Sequence, residues 1–186
     1  MYNLLRTGTH CNQNCVFCFN KNRPKYELTT EEIKESIEKL TKIQKKTICF
    51  SGGEPTIRKD IPKLIEHAKK EGFETIGIQT NGMNLEDKKN IEKLAEQGLN
   101  YIYFSLHSSR PEVSDSLTGV KGGFEKTVKA IKNTIRLNLD VEVNFVINSK
   151  NYTEILDYVK LIESISKNID IEISFMIPVQ DKKVNE

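Results

Sequence analysis

Residues 140–147 read DVEVNFVI, and the alternation within them decides the fold. Val141, Val143, Phe145 and Ile147 fall on one face of an extended chain, and Glu142, Asn144 and, just beyond, Asn148 fall on the other. Successive side chains of a strand point to opposite faces, so such a segment is apolar on one side and polar on the other. The same parity recurs upstream. Ile102, Phe104 and Leu106 oppose Tyr101, Tyr103, Ser105 and His107. Ile76 and Ile78 oppose Gly77, Gln79 and Asn81, and Ile48 and Phe50 oppose Thr47, Cys49 and Ser51. Downstream, Ile171, Ile173 and Phe175 oppose Glu172, Ser174 and Met176.

Six strands are expected at 3–7, 47–51, 75–79, 101–106, 140–147 and 169–175. Between them the apolar residues repeat at helical spacing: Ile33, Ile37, Leu40 and Ile43; Ile61, Leu64, Ile65 and Ala68; Phe124, Val128, Ile131 and Ile135; Ile155, Val159 and Ile162. Thr29 with Glu32 has the form of a capping box. Asp60 before Pro62 and Asn151 before Glu154 are further start signals, and Gly72 and Gly98 stand where helices stop. Strand and helix alternate throughout, which implies a parallel sheet with right-handed crossovers. A parallel sheet covered by helices on both faces reads as nearly continuous apolar runs. These strands do not. The pattern predicts a curved sheet whose apolar face packs on an outer layer of helices and whose polar face lines a cavity. The alternative is an open sheet with its second face wetted or covered by a partner.

The 186 residues, 37% hydrophobic, suit one domain, and a single unit over 1–186 is expected. The chain stops soon after the last strand, at IPVQDKKVNE, without a closing helix, so it reads either as a finished fold or as part of something longer. A net charge of +2 and the lack of a basic stripe argue against nucleic acid as a partner. No run has the length of a membrane span and Met1 leads into no signal-like segment, so the expected location is cytoplasmic.

In that reducing setting the stretch THCNQNCVFCFN, residues 9–20, stands out. Cys11, Cys15 and Cys18 fall within eight positions, just after the first strand, and the chain has one other cysteine, Cys49. In parallel α/β folds ligands gather at the carboxyl ends of strands. Three thiolates in a loop can hold an iron–sulfur cubane with one iron left open. They can also hold zinc, with His10 or Cys49 as the fourth ligand.

Cys11-x-x-x-Cys15-x-x-Cys18, with Phe17 before the third cysteine, resembles the signature of radical S-adenosylmethionine (SAM) enzymes. Ser51-Gly52-Gly53-Glu54-Pro55-Thr56 resembles their GGEP segment, and Thr80-Asn81-Gly82 follows the third strand as in that family. The stretch SLHSSRPEVSDSLTGVKGGFEKT, from Ser105 to Thr127, is similar to members that act on peptides or mature cofactors. The resemblance implies an α/β fold, a partial (β/α)6 TIM-like barrel. It implies a [4Fe–4S] cluster on Cys11, Cys15 and Cys18, with SAM filling the fourth iron site. Gly52, Gly53 and Glu54 would receive the SAM ammonium, and Phe17 would lie near the adenine. Ser105 and Asn144 are candidates for the ribose hydroxyls or the SAM carboxylate, and Asn81 for the same cavity.

The implied activity is reductive cleavage of SAM to a 5′-deoxyadenosyl radical that abstracts hydrogen from a small-molecule or peptide substrate, with an external electron donor. Two rival functions stand beside it: a cluster- and SAM-binding scaffold without catalysis, and a zinc-binding interaction module. Several residues carry two readings each. Gly52–Gly53 would also serve as a tight turn. Ser105 and Asn144 would also satisfy each other. His107 is a proton acceptor or a structural histidine, Cys49 a lumen group or a packing residue. Asp115, in the 108–119 loop, either rims a site or is solvated.

Overall fold

The computed structural model describes residues 3–21, 24–43 and 46–176. Six parallel strands form one sheet in the order β1-β2-β3-β4-β5-β6. They are β1 Asn3–Arg6, β2 Thr47–Ser51, β3 Thr75–Thr80, β4 Tyr101–Ser105, β5 Asp140–Ile147 and β6 Asp170–Phe175. The helices are α1 Thr30–Thr41, α2 Ile61–Lys70, α3 Lys88–Gln97, α4 Pro111–Thr118, α5 Gly123–Arg136 and α6 Ile155–Ile165. Each strand pairs with its neighbour in sequence, giving a partial barrel with β1 and β6 at its two edges.

Strand register carries the alternation across the sheet. Phe50 aligns with Ile78, Ile78 with Ile102 and Ile102 with Val141, all buried in the layer beneath the helices. One residue on, Tyr103 aligns with Glu142, and Ser105 with Asn144, which aligns in turn with Glu172. The apolar face meets Ile33 and Ile37 of α1, Leu64 and Ile65 of α2, Ile91 of α3 and Ile131 of α5. Burial of each such side chain stabilises the fold by about 1.5–3 kcal/mol. The outer face of β6 is less covered, and Phe175 is 77% exposed.

The Thr29–Glu32 capping box is present, with Thr29 Oγ1 accepting from Glu32 N–H and the Glu32 carboxylate accepting from Thr29 N–H. Other expectations need correction. Ile43 falls past the end of α1 and is exposed. In α6 Ile162 is buried as expected, while Ile155 and Val159 are only partly so, and Tyr158 joins the core with its ring 4.5 Å from that of Phe145. Asp60 does precede the start of α2, with Pro62 in its first turn, but its carboxylate is taken by Arg58 and Thr30 instead of capping. Asn151 precedes the short turn Tyr152–Glu154 that leads into α6, but its side chain reaches Val146 O and His107 O instead of capping. The 108–119 segment is not a loop but contains α4. Asp115, on α4, accepts from the backbone N–H groups of Gly122 and Phe124 and so anchors the start of α5. The final stretch from Ile177 lies outside the described residues.

Candidate functional site

The cysteine loop leaves the carboxyl end of β1 and has little structure of its own. Within it Cys18 N–H donates to Cys15 O and Lys21 N–H to Cys18 O. Its position comes from what it touches. Gly53 N–H donates to Gly8 O at 3.0 Å and Glu54 N–H to His10 O at 2.7 Å. Asn20 Nδ2 donates to Gly52 O at 3.0 Å. These bonds fasten both ends of the loop to the end of β2.

The glycine pair is dictated by that contact. A Cβ on Gly53 would stand 1.9 Å from the His10 carbonyl oxygen, and one on Gly52 would stand 2.4 Å from Gly8 O. Gly52 also adopts φ 134°, where L side chains are strained. The glycine pair thus lets the end of β2 close against the chain's own backbone at 7–10.

Glu54 is 3% exposed and acts as a hub. Its carboxylate accepts from Thr56 N–H (3.0 Å), Thr56 Oγ1 (2.6 Å), Thr80 Oγ1 (2.7 Å) and Asn81 N–H (2.7 Å). Burial raises its pKa, and these four bonds work against that rise. The hub welds the end of β2 to the end of β3. Asn81 then reaches the cysteine loop: its Nδ2 donates to Asn12 Oδ1 at 2.7 Å and approaches Cys11 Sγ at 3.8 Å.

The third anchor is α4, which sequence reasoning left out. Asn14 N–H donates to Thr118 O and Val16 N–H to Leu117 O, both at 2.9 Å, so the last turn of α4 props the middle of the loop. Pro111 in the first turn and Gly119 at the stop were the available signals for this helix. Phe17 packs edge-on against His107 with centroids 4.8 Å apart. His107 is buried, and its Nδ1 accepts from Val146 N–H, which fixes a neutral tautomer. Burial lowers its pKa to about 4.

The polar face of the sheet lies below this loop. Asn144 donates to the Tyr103 hydroxyl and accepts from Ser174 Oγ; it does not pair with Ser105. The Tyr103 hydroxyl donates to Glu172 and that of Tyr101 to Glu142. Burial raises the pKa of Glu142, its bond from Tyr101 opposes this, and the charge of Glu172 adds to the rise. Cys49 is buried beside Gly77, with its thiol pushed up to about 12 by burial.

The donor set fits an iron–sulfur cluster. Burial, and then the charges of Cys11 and Cys18, push the Cys15 thiol up to about 12. Removal from water, and the charges of Glu54 and Cys18, raise Cys11 as well. Three thiolates therefore coexist here only with a cationic centre to compensate them. Among the described residues, one trio of His, Cys, Asp or Glu ligand atoms lies within 4.8 Å of one another, and it is Glu38, His67 and Glu71.

Comparison with known proteins agrees. Residues 5–169 match the family model described as Radical SAM superfamily. The Fe-coproporphyrin III synthase of Methanosarcina barkeri is 37% identical over 156 residues, covering 82% of this chain and 38% of that protein. A probable GTP 3′,8-cyclase of Methanocaldococcus jannaschii is 35% identical over 168 residues, covering 86% of this chain and 55% of that protein. Among solved structures, anSMEcpe with bound AdoMet superposes with a TM-score of 0.80 at 19% identity, over 100% of this chain and 54% of that one. Streptococcus suis SuiB bound to S-adenosylmethionine gives 0.78 at 22% identity, over 96% of this chain and 41% of that one. These two likenesses show the shared fold. The chain spans about half or less of the length of these relatives.

Proposed function

The chain belongs to the radical SAM superfamily, and on that premise we propose that residues 1–186 form the SAM-cleaving core of a radical enzyme. The cofactors of the family are a [4Fe–4S] cluster and SAM. When bound, they supply reductive cleavage of SAM to methionine and a 5′-deoxyadenosyl radical that takes a hydrogen atom from substrate, the electron coming from an external donor.

The residues of this chain have separate tasks in the reading. Cys11, Cys15 and Cys18 hold three irons and leave the fourth to SAM. The Gly52–Gly53–Glu54 segment takes the SAM ammonium through its backbone, while the Glu54 carboxylate holds that backbone against Thr80 and Asn81. Phe17, seated on His107, would lie beside the adenine. Ser105 and Asn144 contact the ribose or carboxylate, and Asn81 positions the Cys11 side of the loop. None of these side chains is required to move a proton; their work is to orient and to exclude water.

The observation that carries the reading is the anchoring of the three-cysteine loop across the ends of β2, β3 and α4, above a polar sheet face. That face suits a polar guest. A small molecule or a peptide is proposed as substrate, in line with relatives named for a coproporphyrin, for GTP and, in the solved structures, for a bound precursor peptide. A cytoplasmic location is part of the proposal. Among the described residues no helix is long and apolar enough to cross a membrane.

The test is 5′-deoxyadenosine formation. Protein purified without oxygen, reconstituted with iron and sulfide and given SAM and a strong reductant should release it slowly without substrate. Cys11→Ala, Cys15→Ala and Cys18→Ala should each lose cluster and product, and Cys49→Ala should keep both. An intact cluster without product would leave a scaffold. Bound zinc in place of iron would overturn the assignment.

A further inference from the structure

On the outer helix layer, α1 and α2 bring three ligands together far from the cysteine loop. Glu38 lies in the last turn of α1, His67 in the last turn of α2, and Glu71 just after it. Helix ends of this kind face the amino ends of the strands, opposite the end where Cys11, Cys15 and Cys18 lie. We propose that Glu38, His67 and Glu71 bind a divalent first-row cation, with Zn2+ as the probe.

Three observations carry this. Nδ1 or Nε2 of His67 and one oxygen from each carboxylate all lie within 4.8 Å of one another. The four-residue spacing of His67 and Glu71 puts both on one face of α2, and Glu38 closes the set from α1. The third is an unbonded imidazole nitrogen. His67 Nε2 is buried and makes no hydrogen bond, although Glu38 Oε1 stands 3.4 Å away. The His67 side chain is 20% exposed and that of Glu38 54%, so the pair lies at the rim of the helix layer. Ligands at about 2.0–2.1 Å from tetrahedral zinc are ~3.4 Å apart, which is the separation seen.

The surrounding charge agrees. Lys70 is held by Glu66 at 2.6 Å and Lys39 by Glu35 at 3.6 Å, so these neighbouring lysines are engaged elsewhere. One imidazole and two carboxylates suit zinc, manganese or ferrous iron better than a thiophilic ion. Three protein ligands leave a position for water. The ion would clamp α1 to α2 at the end of the barrel away from the proposed radical chemistry, and its presence does not depend on that chemistry.

The experiment uses the reconstituted full chain, whose thiols are occupied, with iron counted before and after. Zn2+ is titrated calorimetrically and the melting temperature is followed in parallel. One saturable equivalent of zinc and a rise in melting temperature are expected, with iron unchanged. His67→Ala and Glu71→Gln should each weaken zinc binding at least tenfold and abolish the rise while keeping the iron. Should His67→Ala misfold by circular dichroism, Glu38→Gln replaces it. No saturable zinc binding, or equal affinity in wild type and the variants, would overturn the site and leave an ordinary surface His–Glu pair.

Discussion

Replacing Gly53 by alanine tests the geometry of the cysteine loop directly. The new Cβ would stand 1.9 Å from His10 O, 2.5 Å from His10 C and 2.6 Å from Thr9 C. All of these are backbone atoms, so no side chain can swing aside. Opening the closest contact from 1.9 Å to about 3.0 Å requires a shift of about 1.1 Å. That shift stretches the 2.7 Å bond from Glu54 N–H to His10 O to ~3.8 Å, which is no longer a hydrogen bond. The neighbouring Gly53 N–H to Gly8 O bond goes with it. Two lost backbone bonds at about 0.5–1.5 kcal/mol each, with about 1–3 kcal/mol of overpacking, sum to roughly 2–6 kcal/mol. For a chain of this size that lowers the melting temperature of the cluster-free protein by about 5–20 °C. Circular dichroism measures it, and iron per chain after reconstitution should fall in parallel. A variant melting within about 2 °C of wild type and taking up full iron would refute the reasoning. The glycine would then be required by the ligand alone, and reduced SAM affinity at unchanged stability would be its signature.

Gly119 and Gly122 have nearly equal φ values, 72° and 76°, but a Cβ on Gly119 meets Asn14 O at 3.2 Å while one on Gly122 meets nothing within 4 Å. Alanine at each should cost a similar ~1–2 kcal/mol in thermal melts, and only Gly119→Ala should reduce iron uptake. Glu54→Ala removes the acceptor for four donors, so both melting temperature and SAM affinity, by equilibrium dialysis, should fall; affinity equal to wild type would take Glu54 out of the site. His107 stays neutral in the fold down to about 4 because it is buried, while the unfolded chain takes up the proton near 6.5. Stability is therefore full above about 6.5 and declines as pH falls toward 4, by roughly 3 kcal/mol at about 1.4 kcal/mol per pH unit. His107→Asn, whose Oδ1 can still accept from Val146 N–H, should flatten that slope in melts between pH 7 and 4.5.

The fold was legible wherever one physical rule acted alone. The period of two in 101–107 and 140–147 placed the apolar face and the polar face correctly, because burial against helices on one side leaves little freedom of register. The Thr29–Glu32 box was readable because both partners lie within one turn. Asp60 and Asn151 also mark starts, of α2 and of the turn that leads into α6, but neither side chain makes the cap bond. Asp60 is taken by Thr30 of α1 and by nearby Arg58, and Asn151 by His107 O, so those bonds replace the local cap. Helix α4 was missed because it has no apolar stripe: its buried residues are Ser114, Leu117 and Thr118, held by hydrogen bonds and by the cysteine loop. A hydrophobic pattern cannot reveal a helix whose buried side is polar.

The same distinction applies to the candidate site. Three cysteines at 11, 15 and 18 state the chemistry of a metal centre, since residue type alone decides a thiolate donor. Their spacing in space is another matter, because the loop makes few bonds to itself. It takes its shape from Gly53 and Glu54 at β2, from Asn81 at β3, from His107 beyond β4 and from Leu117 and Thr118 in α4. Each contact joins residues from roughly 30 to 100 positions apart, and their closure entropy is met only once the sheet has formed. The distance between thiols is thus a property of the assembled barrel mouth. It follows that a substitution far along the chain, at Gly119 or Glu54, should act on the proposed metal site as directly as one inside the loop. The placement of the three thiols is set by residues that carry no metal-binding signature at all.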